Sequence, residues 1–529
     1  MATLSPVLSI LLVSLVSYLV KVLLLSKRRG PPLPPGPKPK PLVGNISDLP
    51  QKGKPEWLHW LRHKDLYGPI SSVTVLGQTL IILNDSNLAF ELMEKRSSKH
   101  SSRPRLVFSG EMLGCENFLN SQTYSNRFRA YRKNMGRLIG TSAAVSRFDN
   151  LQEVEARRFV LRILQQPENL IQHIRKEAGA IMLKLAYNYT VEPHKNDPLI
   201  DLADTALDLF SRSAATGAYL VDVIPALKHI PEWFPGAGFK RKAKEWRKVF
   251  IDLAERPYAF VKQQMKQGIN EPSYVSQLLE QGNLDEEEEF VIKWSSASLY
   301  GGAADTTVSS LSCFFLAMML HPEVQRKAQE EIDRVVGTER LPGVADREKL
   351  PYIDAIVKEV LRWNPVAPMG LPHMTTEDDV CEGYLIPKGA LLLPNIWGFL
   401  HDPKSYHDPM TFKPERFLEQ DGHPPEPDPH SLAFGFGRRI CPGRLLADTS
   451  LYLSIALSLA VFNIGKPLDE NGKEVEPVVE MQPGVISHPA PFQTRITPRS
   501  PQHEKLVRAV EVEHPWKKSD AEVLQNITY

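Results

Sequence analysis

Residues 434–443, read as FGFGRRICPG, constrain this chain more than any other stretch of it. Three glycines in ten positions let a main chain turn tightly and come close to something flat. At Gly437 and Gly443 a Cβ would block either the φ value or the approach. Pro442 suits the first turn of a helix. Cys441 then lies at that helix's N-terminus, where free amides and the dipole favour a thiolate over a thiol. Arg439 adds positive charge nearby, and a thiolate is the form of cysteine that ligates iron. The plainer alternative, a small buried thiol, is the reading for Cys115, Cys313 and Cys381. None of the four cysteines belongs to a CxxC pair or sits beside a His-x-His spacing. Neither a zinc site nor a disulfide scaffold is expected, and so few cysteines fit a reducing compartment.

A second constraint lies at the N-terminus. Leu4–Leu25 is largely apolar, with Lys21 as its one charge. A run of about 20 residues, at about 1.5 Å each, spans the hydrocarbon core of a bilayer. Lys27, Arg28 and Arg29 follow it and place the remainder on the cytosolic side. A cleaved signal peptide would need a basic leader and a small-residue cleavage site, neither of which is clear here. The segment 30–44, rich in proline, reads as a semi-rigid spacer, with an SH3 ligand as the weaker alternative. Sequons at Asn45, Asn84, Asn188 and Asn526 would face the cytosol and go unused. The net charge of +1 gives no reason to expect a nucleic-acid partner.

The body, taken as residues 45–500 with a tail at 501–529, reads as mainly α with small β-sheets. Alternation from Ile70 to Asp85 predicts a hairpin. Tyr124 to Gln281 keeps a helical period, broken at proline and glycine clusters. Asn283 and an acidic first turn open a very long helix to His321; Pro322 starts another, ending near Gly337. A further helix covers Tyr352–Trp363, strand-like segments occupy Gly383–Pro394, and a last helix follows Pro442. A short β pattern runs from Val485 to Thr497.

Three other constellations stand out. KEVLRWNP puts Glu359 and Arg362 three residues apart on one helical face, alone a common surface pair worth little. Inside the long helix, YGGAADTT places Asp305 and Thr306 where both compete for backbone hydrogen bonds, beside small residues that would let a flat group approach. A helix-packing face is the plainer alternative. Arg129, Lys133, Arg137, Arg438 and Arg444 make a basic set, which a solvated face would also explain.

Phe434, Gly437, Arg439, Cys441 and Gly443 together resemble the haem-binding signature of the cytochrome P-450 monooxygenases. The resemblance extends over nearly the whole chain and implies that fold, preceded by one transmembrane helix. It implies haem, with Cys441 as proximal ligand, Phe434 shielding the loop and Arg439 meeting a propionate. Arg132, in RFRAYRKNM, matches another propionate partner, while Phe128 stands where tryptophan is usual; His373 matches a further partner. Glu359, Arg362 and Arg416 match the family's buried charge triad. Asp305 and Thr306 resemble its proton-relaying acid–alcohol pair, and Ala303 replaces a usual glycine.

The implied reaction inserts one oxygen atom of O2 into a lipophilic organic substrate. Electrons would come from an NADPH-cytochrome P-450 reductase docked on the basic set. Phe108, Ala303, Val366, Met369 and Ile486 are the expected pocket residues. SSRPRLVF, FGFGRRICPG and GVISHPAPF resemble fungal microsomal enzymes of secondary metabolism. The implied location is the endoplasmic reticulum membrane, single-pass, with the catalytic domain in the cytosol. The alternatives are a xenobiotic oxygenase, a haem-thiolate isomerase or dehydratase that needs no reductase, and a tethered binding protein without haem.

Overall fold

The computed structural model describes residues 30–214, 219–419, 422 and 424–527, together with Val13, Ser14 and Ser17. The expected anchor, 4–25, lies outside the described residues apart from those three positions. The described chain is mainly helical, with one four-stranded sheet and two hairpins.

The expected hairpin forms from β1 (Ile70–Val75) and β2 (Gln78–Leu83), antiparallel with Ile70 opposite Leu83. Leu76 and Gly77 both have positive φ, as a two-residue turn matching the strand twist requires. Two further strands, β3 (His373–Met374) and β6 (Leu391–Pro394), complete this sheet, β6 running parallel to β2. Between them β4 (Asp379–Cys381) pairs with β5 (Tyr384–Ile386). β7 (Phe462–Gly465) pairs with β8 (Arg495–Pro498), so only the end of the expected Val485–Thr497 pattern is strand.

The proline-rich segment is not a free spacer. The Pro35 carbonyl accepts from Ser72 N–H at 2.9 Å and the Pro34 carbonyl from Ser72 Oγ at 2.6 Å. The Pro32 carbonyl accepts from Leu385 N–H at 2.8 Å. Proline lacks a donor but keeps its carbonyl, and here those carbonyls tie the segment to the sheets.

The long helix is Glu286–Leu320. It starts later than Asn283, because Asp285 accepts Glu288 N–H at 2.8 Å and Glu288 accepts Asp285 N–H at 3.0 Å, a reciprocal cap. Its C-terminal half packs with helices Asp149–Gln165, Leu170–Tyr187, Pro351–Trp363 and Arg444–Val461 in one continuous core. Val507 and Val510, on helix Pro501–Glu513, are fully buried in that same core, so the tail is integral to the fold. Glu286–Leu320 and Arg444–Val461 are long and apolar enough to cross a membrane, but their most apolar windows are 67% and 72% buried within the protein. They are core helices.

Candidate functional site

Past its exposed first turn, the long helix is covered on either side of an uncovered middle. Val291–Tyr300 is largely buried and Val308–Met319 wholly so, whereas none of Gly301–Thr307 is. A Cβ added at Gly301 or Gly302 would meet nothing within 4 Å. One side of a central helix therefore faces open space. Thr306 Oγ1 donates to the Gly302 carbonyl at 2.8 Å, the back-bond that lets a hydroxyl sit inside a helix. Asp305 does not bond Thr306; its Oδ2 accepts from Nε2 of His488 at 3.0 Å. His488 lies in GVISHPAPF, a stretch sequence reasoning used only as a family likeness, so its pairing was missed.

The helix that follows the cysteine loop, Arg444–Val461, packs on the long helix, and its Leu445 and Leu446 belong to the same apolar cluster as Ala303 and Ala304. Cys441 N–H donates to the Phe434 carbonyl at 2.8 Å, closing the loop. Gly437 has φ +51°, and a Cβ there would overlap the Met93 carbonyl. The loop thus needs glycine at 437 for both reasons. Gly443 needs neither: its φ is −88°, and its Cβ would only touch Cys441 Sγ at 4.0 Å. The helix starts at Arg444 rather than at Pro442. Phe434 stacks on His430, centroids 5.7 Å apart. Cys115, Cys313 and Cys381 are buried, and Cys441 alone is half-exposed.

Burial pushes the Cys441 thiol up, although the amides of Gly443 and Arg444 and the guanidiniums of Arg132 and Arg444 pull it down. The amides at the helix start thus act on the thiol in the expected direction, and burial opposes them. Desolvation disfavours the charged form, while the amides and guanidiniums favour it.

Beside the loop lies a group of cations, Arg103 buried and Arg132 and Arg439 half-buried, with no carboxylate paired to them among the described residues. Arg132 Nη1 donates to the Ile440 carbonyl at 2.7 Å. Arg439 donates to the carbonyls of Ser101, Leu119 and Gln122. Arg103 donates to those of Asn120, Leu371 and Pro372. Burial, and then Arg132, lower Arg439 to about 10, while burial and Arg439 push Arg103 down strongly. His373, on β3, is buried and held neutral by desolvation and by Arg103. Its Nδ1 faces the His100 carbonyl at 2.7 Å and so carries the hydrogen. Uncompensated buried cations are costly unless an anion joins them. Arg103 was missed by sequence reasoning; an arginine before a proline carries no signal of burial.

Glu359, Arg362 and Arg416 meet in the interior. Arg362 Nε and Nη2 bind Glu359 at 2.7 and 2.8 Å, and Arg416 Nε lies 3.2 Å from Glu359 Oε2. The Lys413 N–H also donates to Glu359 at 2.7 Å. This cluster pins the 407–416 loop to helix Pro351–Trp363. Among the expected pocket residues, Ala303, Val366 and Ile486 are half-exposed, and Val366 and Ile486 are brought together where Ser487 N–H meets the Val366 carbonyl. Phe108 is fully buried, stacked on Tyr219 at 3.4 Å between centroids, and Met369 is buried in one cluster with Trp57, Trp60 and Trp397. Arg129, Lys133, Arg137 and Arg438 are exposed, and among the described residues none has an ion-pair partner.

These features fit one group. Among the described residues no three His, Cys, Asp or Glu side chains cluster as metal ligands, so an ion at Cys441 would draw its other ligands from a cofactor. Such a cofactor must be flat enough for the face at Gly301–Ala304 and anionic enough for Arg103, Arg132 and Arg439. Haem, with its two propionates, has that shape and charge.

The comparisons agree. The sequence model described as Cytochrome P450 matches residues 34–496. The chain is 53% identical to cytochrome P450 monooxygenase claR of Ampulloclitocybe clavipes, over 92% of this chain and 90% of that protein. It is 51% identical to cytochrome P450 monooxygenase ppsD of Aspergillus oryzae, over 94% of each. It is 47% identical to the O-methylsterigmatocystin oxidoreductase of Aspergillus flavus, over 95% of each. The chain belongs to the cytochrome P450 family. It is a haem-thiolate monooxygenase, an oxidoreductase that uses O2, an organic substrate and a redox partner.

Proposed function

We propose that this enzyme oxygenates a lipophilic small molecule of fungal secondary metabolism, with Cys441 as the iron ligand and Asp305 and Thr306 delivering protons. The observation that supports the reading best is the pairing of one half-exposed cysteine with a set of buried and half-buried arginines that bind main-chain carbonyls and no carboxylate. When bound, the haem supplies the oxygen chemistry, with the thiolate pushing electron density to favour O–O cleavage.

The chain's own residues do the rest. Cys441 would hold the cofactor's iron, and Arg103, Arg132 and Arg439 would balance its propionates. His373 offers Nε2 as a lone pair until it takes up a proton, and an arriving carboxylate favours that uptake. The Thr306 hydroxyl, anchored on the Gly302 carbonyl, accepts a proton at Oγ1 and passes its own on, and Asp305 is the neighbouring acid that resupplies it. Half-exposed Ala303, Val366 and Ile486 offer the substrate an apolar wall. Relatives whose names identify a monooxygenase or a sterigmatocystin-type oxidoreductase support a small organic substrate.

The same reading includes single-pass anchoring of residues 4–25 in the endoplasmic reticulum membrane, with the domain in the cytosol. Arg129, Lys133, Arg137 and Arg438 then form a cationic face for an acidic NADPH-dependent reductase. Spectroscopy of the reduced carbon monoxide complex tests the ligand. The native protein should show the thiolate band, and Cys441→Ala should lose it. Retention of the band in the variant would assign the ligand to another cysteine.

A further inference from the structure

Asp305 is held by a partner outside the acid–alcohol pair. Nε2 of His488 lies 3.0 Å from Asp305 Oδ2, with the two side chains 26% and 18% exposed. A carboxylate only accepts, so Nε2 carries the hydrogen of this bond. One helical turn further on, Ser309 Oγ donates to the Ser487 carbonyl at 2.5 Å. The residue pairs 305–488 and 309–487 are therefore adjacent rungs between the long helix and one loop.

That loop is fixed on its other sides. Ser487 is fully buried, its N–H donates to Val366 at 2.8 Å and its Oγ to Gln482 at 3.1 Å. Gln482 N–H donates to the His488 carbonyl at 2.7 Å, and Met481 bridges Pro489. His488 is thus presented from a braced main chain. The other charged groups facing Asp305 come from helix Pro198–Ala214, where Asp204 feels its charge and is paired with Arg175 at 3.0 Å.

We infer that His488 is a positioning residue for proton delivery, holding the Asp305 carboxyl in one rotamer so that it can resupply Thr306 on each turnover. An unpartnered aspartate on a helix samples several rotamers, and each transfer would then carry the cost of ordering it. The inference rests on the acid–alcohol role proposed above.

The test uses full-length holoenzyme with a fungal NADPH reductase and no added substrate, so that the probe is NADPH oxidation itself. His488→Ala should raise the solvent deuterium isotope effect and move hydrogen peroxide released per NADPH towards its limit of one at the expense of water, the peroxide-to-water partition changing by up to about tenfold, the worth of one hydrogen bond to a charged group. His488→Gln, whose amide can still donate, should restore both. Asp305→Asn combined with His488→Ala should behave as Asp305→Asn alone, because both act on one carboxyl. Independently of turnover, ring-15N histidine spectra of the diamagnetic carbon monoxide complex should show one imidazole signal that disappears in His488→Gln and moves in Asp305→Ala. A normal peroxide ratio in His488→Ala, additivity in the double variant, or an unmoved imidazole signal would overturn the inference. Loss of the thiolate band in the native protein would sink the haem-thiolate assignment instead, and the imidazole contact would still stand or fall by its own spectrum.

Discussion

The guanidinium of Arg439 lies over the ring of Phe128, 3.9 Å from its centroid. Phe128 is buried on helix Asn126–Ile139, one turn before Arg132. A single helix thus supplies the ring that steadies Arg439 and the side chain of Arg132, both proposed above to balance propionates. The phenylalanine that replaces the family's usual tryptophan gives up an indole N–H but keeps this face. Phe128→Ala should lower haem content per protein and the melting temperature together, since a cation–π contact of about 1 kcal/mol and a cavity cost of about 3–5 kcal/mol are both lost. Phe128→Trp should keep the stacking and match or exceed native haem retention, measured as haem remaining after gel filtration.

Gly437 is a sharper case because two independent constraints meet there. Its φ of +51° disfavours any Cβ, and the Met93 carbonyl fills the place the Cβ would take. Gly437→Ala should cost at least about 2 kcal/mol and displace the loop that carries Cys441. The expected result is protein that accumulates with a reduced or absent thiolate band. Gly443→Ala, with only Cys441 Sγ at 4.0 Å to meet, should retain most of it.

The contrast between these two glycines shows what was legible in the sequence. The spacing in FGFGRRICPG identified the loop, and the helical and alternating periods located the long helix, the hairpin and Pro351–Trp363. Those signals are local, and local chemistry decides them. What stayed hidden depends on distant partners. Arg103, His488 and the docked prolines acquire their roles from contacts with residues 268, 183 and 38 positions away, which no periodicity encodes. The stacking of Phe108 on Tyr219 and the place of Met369 in one cluster with Trp57 likewise depend on distant residues. The helix-end amides at Cys441 could be read from the sequence, whereas its desolvation depends on the packing around it.

Thr306 offers a test of proton delivery that spares the rest of the site. Its hydroxyl is committed to the Gly302 carbonyl at 2.8 Å, so Thr306→Ala removes one relay atom without uncapping the helix. Reduction and oxygen consumption should continue near the native rate. Hydrogen peroxide per NADPH should rise and product per NADPH should fall, by up to about 10²-fold, the lower scale of a general acid–base contribution. Thr306→Ser should recover most of the coupling. An unchanged ratio in the alanine variant would leave Thr306 as a packing residue.

The pH dependence of stability should carry the mark of His430, the residue stacked on Phe434. Its Nδ1 lies 2.6 Å from Asp428 and its Nε2 2.9 Å from Asp448, which Arg347 also holds at 2.7 Å. Burial works against the charged ring, but the two carboxylates outweigh it and raise His430 to about 9. A histidine whose folded value lies above its unfolded value of about 6.5 stabilises the fold fully below the lower figure. That contribution shrinks as pH rises through the folded value and is gone above it. His430→Gln should therefore melt below the native protein by roughly 1–2 kcal/mol at about pH 6, after discounting for solvent. The gap should narrow steadily and close near about pH 10. Because the same ring packs on Phe434, haem loss on mild heating should follow the same curve, faster in the variant at low pH and equal at high pH. A gap that stayed constant across this range would mean that His430 contributes by packing alone, with no share from its charge.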